Sequence, residues 1–257
     1  MISKQAIEEA HDRIRPYIHR TPLISSKTIA DKAQCASFTL KCESLQKIGA
    51  FKARGAFNKL LQLPKEVKSV CTHSSGNHAQ ALAYTAKQVG IPAYIVMPQN
   101  SPVVKKNGVI GYGGTVIDSG NTLKEREATL EEVRKKHDSY FVHPYNDLDI
   151  ITGQATSAKE VFEDMSDLDY LVFPIGGGGL ASGSCLSTKY FGGKCKPIGV
   201  EPYLARDAKM SLEQGKIIPQ LPPVTIADGL RTSLGPHTYN ILKQHLTPED
   251  VILVSEE

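Results

Sequence analysis

The chain has 257 residues, 40% of them hydrophobic and 22% charged, and 30 Lys and Arg against 27 Asp and Glu give a formal charge of +3. This balance suits a compact protein of one large or two modest domains. It leaves no basic stripe for a phosphate backbone, so no nucleic-acid partner is expected.

The elements follow from periodicity and turn chemistry. Ser3 is placed to cap a first helix with an apolar face of Ile7, Ala10 and Ile14, ending before Pro16. After a linker, Phe38, Leu40 and Cys42 alternate with Ser37, Thr39 and Lys41, the period-two pattern of a half-buried strand. Lys52 then opens a helix. A strand near Val70, a helix over 77–89 closed by Gly90, a strand over 93–97, a helix over 103–111, a strand over 115–117, a charged helix over 123–137 and a strand over 140–142 come next. A second series has a helix over 150–165 with Val161 and Met165 on one face, a strand over 170–173, a small-residue helix over 181–190 and a strand over 197–200. Pro219, Pro222 and Pro223 mark a loop before a final helix over 239–246 and strand over 251–254. Strands alternating with helices predict an α/β fold with parallel sheets, and short turns near Leu60 and Asn146 are the places for a domain boundary.

Five cysteines, Cys35, Cys42, Cys71, Cys185 and Cys195, are odd in number and lack metal-ligand spacing, which suits a reducing compartment. Residues 1–10 carry Glu8 and Glu9 rather than a secretory signal, and no apolar run reaches spanning length. The sequence therefore reads as cytoplasmic, with no membrane partner.

Three segments carry chemistry. Lys52 lies among Gly49, Ala50, Phe51 and Ala53, small and apolar neighbours that leave room for a flat ring. Burial there would lower its pKa and free the amine for condensation with a carbonyl. Ser74-Ser75-Gly76-Asn77-His78 joins a strand to a helix, so it can serve as a cap and equally as a seat for a carboxylate. Gly176, Gly177, Gly178 and Gly179 lie at a strand-to-helix turn, where bare backbone N–H groups can hold a phosphate. An aldehyde that carries a phosphate needs both the amine and the cradle. A rival reading takes Gly176, Gly178 and Ala181 as a loose G-x-G-x-x-A pattern, with Glu201 as the ribose acid of a nicotinamide-dependent oxidoreductase. Glu201, Ala205 and Asp207 also form a compact set of oxygen donors suited to a hard divalent cation, or a solvated surface.

Together, Lys47 to Gly55, His73 to His78, Gly176 to Leu180 and Ile226-Ala227-Asp228-Gly229 resemble the pyridoxal-phosphate-dependent serine/threonine dehydratase family, over about Glu9 to Val254. The resemblance implies a two-domain α/β enzyme of fold type II, each domain an open, mostly parallel sheet flanked by helices. Residues 1–59 and 147–257 would form the large cofactor-binding domain and residues 60–146 the small one. It further implies that Lys52 forms the Schiff base with pyridoxal 5'-phosphate and is acid and base on one face of the substrate Cα, with Ser75 on the other. Asn77 would bond the cofactor ring oxygen, Phe51 would pack beside the ring, and Gly176, Gly177, Gly178, Gly179 and Leu180 would bind its phosphate, with Gly229 nearby. Ser74, Ser75, Gly76, Asn77 and His78 would hold the substrate carboxylate. Glu201, Ala205 and Asp207 match the family's divalent-cation site, for Mg, Mn or Ca. Ser26, Lys47, Gln80, Lys105 and Tyr112 fall where animal members bind an ATP activator, with Ile48 replacing a polar residue there.

The implied activity is racemisation of serine together with its β-elimination to pyruvate and ammonia, in a homodimer. Alternatives are an ammonia-lyase of the same family acting on L-threonine, L-serine or 3-hydroxyaspartate, and a non-catalytic binding remnant. Ser255, Glu256 and Glu257 read as the cap and first turn of a further helix, while the family continues beyond this point. The expectation is thus a large domain lacking its C-terminal part, with an exposed apolar face and an open sheet edge, poorly stable or inactive alone.

Overall fold

A computed structural model describes residues 2–219 and 223–257; Pro222 of the expected proline loop lies outside the described residues. Helix α1 (Lys4–Ile14) starts where Ser3 Oγ accepts from Ala6 N at 3.1 Å, and it buries Ile7, Ala10 and Ile14 completely. The next segment departs from expectation. Strand β1 (Leu23–Ser25), helix α2 (Lys27–Ala33) and strand β2 (Thr39–Lys41) form an antiparallel ribbon with Leu23 opposite Lys41. The expected faces of β2 are exchanged: Leu40 is 46% exposed, while Lys41 turns inward to Glu160. A buried carboxylate outweighs the period-two pattern, because leaving it without a cation would cost more than exposing one leucine.

Helix α3 (Lys52–Leu60) leads into a four-stranded sheet. Its elements are β3 (Val70–His73), α4 (Asn77–Val89), β4 (Ala93–Pro98), α5 (Val103–Gly111), β5 (Thr115–Ser119), α6 (Leu123–His137) and β6 (Tyr140–Phe141). The strands are parallel in the order β5-β4-β3-β6, and Leu82, Ile95, Met97 and Val109 fill the core beside them. The chain runs outward from β3 through β5, then returns to β3's other side as β6. Beyond the carboxyl ends of strands at such a reversal, an open α/β sheet has its binding crevice. Here those ends carry Ser74 to Asn77 and His143 to Asn146.

The remaining elements are α7 (Leu148–Asp164), β7 (Tyr170–Pro174), α8 (Gly179–Phe191), β8 (Lys196–Pro202), α9 (Asp207–Gln214), α10 (Pro236–Leu242) and β9 (Val251–Val254). The parallel sheet β7-β8-β9 buries Phe173 and Val251 with Ile175 and Leu242. Its other face leaves Tyr170 and Val172 60% exposed, with Ile252 and Val254 also open. Helix α7 is held close to two others by small residues. A Cβ on Gly153 would stand 2.6 Å from the Gly55 Cα of α3, and one on Gly183 of α8 would stand 2.6 Å from Ala155 N. Among the described residues no helix is long and apolar enough to cross a membrane.

Candidate active site

The structure brings Lys52, the segment 142–146 and the glycine run together. Lys52 is the first residue of α3, and its Nζ donates to Pro144 O at 2.7 Å. The amine lies 5.4 Å from the centre of the Phe51 ring and 6.0 Å from that of Tyr145. The residue as a whole is half-buried, but the crowding of protein around its amine removes water and lowers its pKa to about 8. The position at a helix N-terminus acts in the same direction, because the dipole's positive end disfavours an ammonium.

Segment 142–146 is a hub of backbone and imidazole contacts. Val142 O can only accept, so His78 Nε2 carries the proton of their 3.2 Å bond. His78 Nδ1 is then a lone pair, buried with no hydrogen-bond partner. Burial, then the charge of Lys52, hold this imidazole well below the ordinary histidine range. His143 Nδ1 accepts from Tyr145 N at 3.2 Å and Asn146 N at 2.9 Å. Burial and His73 lower the His143 pKa to about 4, which keeps that turn intact at neutral pH. Asn146 Oδ1 accepts from His237 N at 2.8 Å, tying the hub to the start of α10.

The glycine run is a cradle built around missing side chains. A Cβ on Gly177 would stand 2.5 Å from the Tyr145 ring, and one on Gly179 would stand 3.0 Å from the Tyr145 Cβ. Gly178, the residue before α8, has φ +85° and would meet Leu234 Cδ2 and Thr238 Cβ at 2.8 Å. Gly176 sits against the backbone of Gly229 and Leu230. The first N–H groups of α8, at Gly179 and Leu180, have no partner within the helix and suit an anion.

Ser74 to Asn77 form the turn between β3 and α4, with Gly76 N donating to Ser74 Oγ at 3.3 Å. Ser75 is half-buried, Asn77 is exposed, and a Cβ on Gly76 would meet nothing within 4 Å. The turn is thus open on the side where a small acid could bind.

Glu201, at the end of β8, is fully buried, its oxygens accepting from Ala208 N at 3.0 Å and Lys209 N at 2.9 Å. It is turned toward α9 and is not free to meet a ribose, which removes the acid that the dinucleotide reading requires. Asp207 Oδ2 accepts from Leu234 N at 3.0 Å, and its buried Oδ1 has no hydrogen-bond partner. Burial raises the pKa of Glu201 to about 8, with Asp207 adding repulsion, and that of Asp207 to about 7. Two sequestered carboxylates, one with an unpaired oxygen, thus lie near the buried Ala205, oxygen donors of the type hard cations prefer.

The expected nucleotide residues each have local partners. Ser26 Oγ caps α2 by accepting from Ile29 N, and Lys47 lies in the turn before Gly49. Gln80 lies against Gly108, and the Tyr112 ring meets Tyr84 edge-on at 5.6 Å. Lys105 Nζ pairs with Asp228 at 2.5 Å. Among the described residues no hydrogen bond or ion pair joins Ser26 or Lys47 to the other three.

The family described as pyridoxal-phosphate dependent enzyme matches residues 14–257. The chain belongs to that pyridoxal-phosphate-dependent family. It is 47% identical to serine racemase of Arabidopsis thaliana over 253 residues, 98% of this chain and 76% of the relative. It is 39% identical to L-threo-3-hydroxyaspartate ammonia-lyase of Saccharomyces cerevisiae, over 97% of this chain and 76% of that enzyme. Among solved structures, maize serine racemase superposes with a TM-score of 0.94 at 42% identity, covering 98% of this chain and 76% of its own. Family membership decides between the two readings of the glycine run, and the residues fit the family's cofactor: an amine of lowered pKa, and a glycine cradle that side chains would fill.

Residue pattern gave no role in the site to Pro144, Tyr145 or Leu234. Pro144 acts through its backbone carbonyl and Leu234 through an amide and an apolar contact, neither of which leaves a chemical mark in a sequence. The Tyr145 ring belongs to His143-Pro144-Tyr145-Asn146, where the aromatic and the proline were the available signal.

Proposed function

We propose that this chain interconverts L- and D-serine with pyridoxal phosphate and, in the same site, eliminates water from serine to an aminoacrylate that is released and hydrolyses to pyruvate and ammonia. The observation that carries the reading is the placement of Lys52, with its lowered pKa, beside the hub at the reversal of the first sheet, where Ser74 to His78 begin α4. Similarity to enzymes named serine racemase supports the choice of substrate. Lys52 and Phe51, the amides from Gly176 to Leu180, Asn77 and Gly229 are the residues to hold the cofactor. When bound, that cofactor withdraws electrons from the substrate Cα and makes its proton acidic.

Lys52, as a free amine, takes a proton from one face of Cα, and the Ser75 hydroxyl serves the other. Removal at one face and return at the other inverts the centre; departure of the β-hydroxyl instead leads to elimination. Ser74, Gly76, Asn77 and His78 orient the substrate carboxylate at the α4 N-terminus. A divalent cation at Glu201, Ala205 and Asp207 is part of the proposal, supported by the unpaired Asp207 oxygen. The cytoplasmic assignment rests on five unpaired cysteines, and the homodimer on the resemblance.

The test is incubation of the purified chain with pyridoxal phosphate and L-serine, with D-serine read by chiral chromatography and pyruvate by a coupled assay. Both products are expected. Cofactor absorbance without either product would leave a binding protein and defeat the proposal. The yeast relative favours one rival substrate, 3-hydroxyaspartate, and a kcat/KM for it well above that for serine would make ammonia-lyase activity the main reaction.

A further inference from the structure

Arg54, two residues beyond Lys52, takes no part in the chemistry above. It is fully buried, 0% exposed, and its guanidinium is saturated by charge. Nε and Nη2 donate to the two Glu43 oxygens, each at 2.8 Å. Nη1 and Nη2 donate to the two Glu160 oxygens, also each at 2.8 Å, and Nη1 reaches Thr156 Oγ1 at 3.2 Å. Both carboxylates are therefore gripped in two-pronged fashion, the geometry that separates arginine from lysine. Further groups complete the cluster. Lys41 donates to Glu160 at 2.6 Å, and Thr21 donates to Glu43 at 2.6 Å. His11 bridges Lys159 and Glu160, its Nδ1 lying 3.3 Å from Lys159 Nζ and its Nε2 3.4 Å from the Glu160 carboxylate. Lys159 is paired in turn with Glu163, so three cations meet three anions. Although burial opposes its charge, the bonds from Glu43 and Glu160 keep the Arg54 pKa raised.

The start of α3 needs such a clamp. Phe51, the residue before it, supplies no side-chain cap. The approach runs through Ile48 at φ +61° and Gly49 at φ +72°, and the left-handed region is unfavourable for a β-branched isoleucine. An uncapped helix entered through a strained turn frays at its first turn. That turn holds Lys52. The far side of α3 also fits tightly against α7, because a Cβ on Gly55 would stand 2.3 Å from Gln154 Nε2. Arg54 and Gly55 thus fix the height and rotation of the helix on which the amine sits.

We propose that Arg54 is a positioning residue: by binding Glu43 and Glu160 it locks the first turn of α3 and so holds the Lys52 amine at the Pro144 carbonyl. The inference rests on the role of Lys52 proposed above but is testable without the cofactor.

The experiment measures the reactivity of the Lys52 amine in the cofactor-free protein as a function of pH, by brief reductive methylation and mass spectrometry of its peptide. The rate of cofactor attachment, trapped with borohydride, is measured alongside. Arg54→Lys keeps the charge and loses the fork; Glu43→Gln keeps the shape and loses one anion. Phe57→Leu, one turn further along α3 at another fully buried side chain, is the control for destabilisation alone. In both clamp variants the midpoint of Lys52 reactivity should rise from near 8 toward the ordinary lysine value of 10.5, and cofactor attachment should slow by about tenfold or more. Phe57→Leu should melt earlier with its midpoint unmoved. A wild-type midpoint in folded Arg54→Lys or Glu43→Gln, or the same shift in Phe57→Leu, would overturn the proposal. If wild-type Lys52 reacts normally at this midpoint but never attaches the cofactor, the functional reading fails and the positioning role stands.

Discussion

Lys52 Nζ and Pro144 O meet at 2.7 Å across 92 residues of chain. That contact joins the first turn of α3 to the segment following β6, and it places an amine whose pKa is lowered to about 8 at the reversal of the parallel sheet. The chemistry proposed for this chain depends on it.

Replacing Lys52 by methionine should have two effects that run in opposite directions. The borohydride-reducible absorbance formed with pyridoxal phosphate should vanish. Stability should rise at pH 7, for the following reason. The amine titrates near 8 when folded and 10.5 when unfolded, so between those values the unfolded chain binds more protons and stability climbs with pH. Below 8 the buried ammonium is a constant penalty. Melting curves from pH 8 to 10.5 should show the climb in the wild type and its loss in Lys52→Met; retained absorbance would remove Lys52 from the reaction.

Ser75→Ala separates the two faces of Cα. Reactions that start from D-serine should fall by about 100-fold or more, the scale of a lost general acid or base, while much of the L-serine elimination persists. Progress curves for each enantiomer, read by pyruvate, decide the matter. Equal losses from both enantiomers would refute the two-face assignment.

The glycine cradle should not tolerate a methyl group. At Gly177 it would stand 2.5 Å from the Tyr145 ring, so Gly177→Ala should destabilise by about 1–3 kcal/mol and weaken cofactor binding by about tenfold or more, as the ring is pushed aside. Combining it with Tyr145→Ala should recover part of the stability, a coupling that a double-mutant cycle measures. Strict additivity would show that the two groups do not collide.

Glu201 and Asp207 give the opposite pH sign to Lys52. Their folded pKa values, about 8 and about 7, lie above the ordinary carboxylate range. The folded state therefore binds more protons from about pH 4 to 8, and without a cation stability should decline across that window. Millimolar Mg, Mn or Ca should raise the melting temperature more at pH 8 than at pH 6, because the cation competes with protons for these oxygens. Asp207→Asn should flatten the decline and abolish the cation effect. A cation response of equal size at both pH values, or one that survives in Asp207→Asn, would place the site elsewhere.

Where apolar residues carry the period, the sequence and the structure agree closely: α4 runs over Asn77–Val89 and ends at Gly90 in the left-handed conformation. Elements with little apolar surface to bury were illegible. Helix α2 buries only Ala30. Helix α9 buries Asp207, Ala208 and Ser211, a polar face with no hydrophobic rhythm, since its purpose is to meet Glu201 with backbone amides. Strand β2 was legible as a strand but not in its facing, because a distant glutamate decides where Lys41 points.

By itself the sequence determined the chemical inventory and its local settings: an amine opening a helix, a hydroxyl-rich turn, four glycines between strand and helix, and two acids six residues apart. Those are short-range facts, set by which residues suit turns, caps and small spaces. Only the tertiary structure decided the charge states and the partners. A lysine becomes a weak base when rings and a carbonyl from far along the chain exclude water from it. Two carboxylates hold their protons when a sheet and a helix close over them. Lys41 and Arg54 point inward because Glu160 waits there. Electrostatic energy depends on distance and dielectric, and both are settled only when remote segments meet.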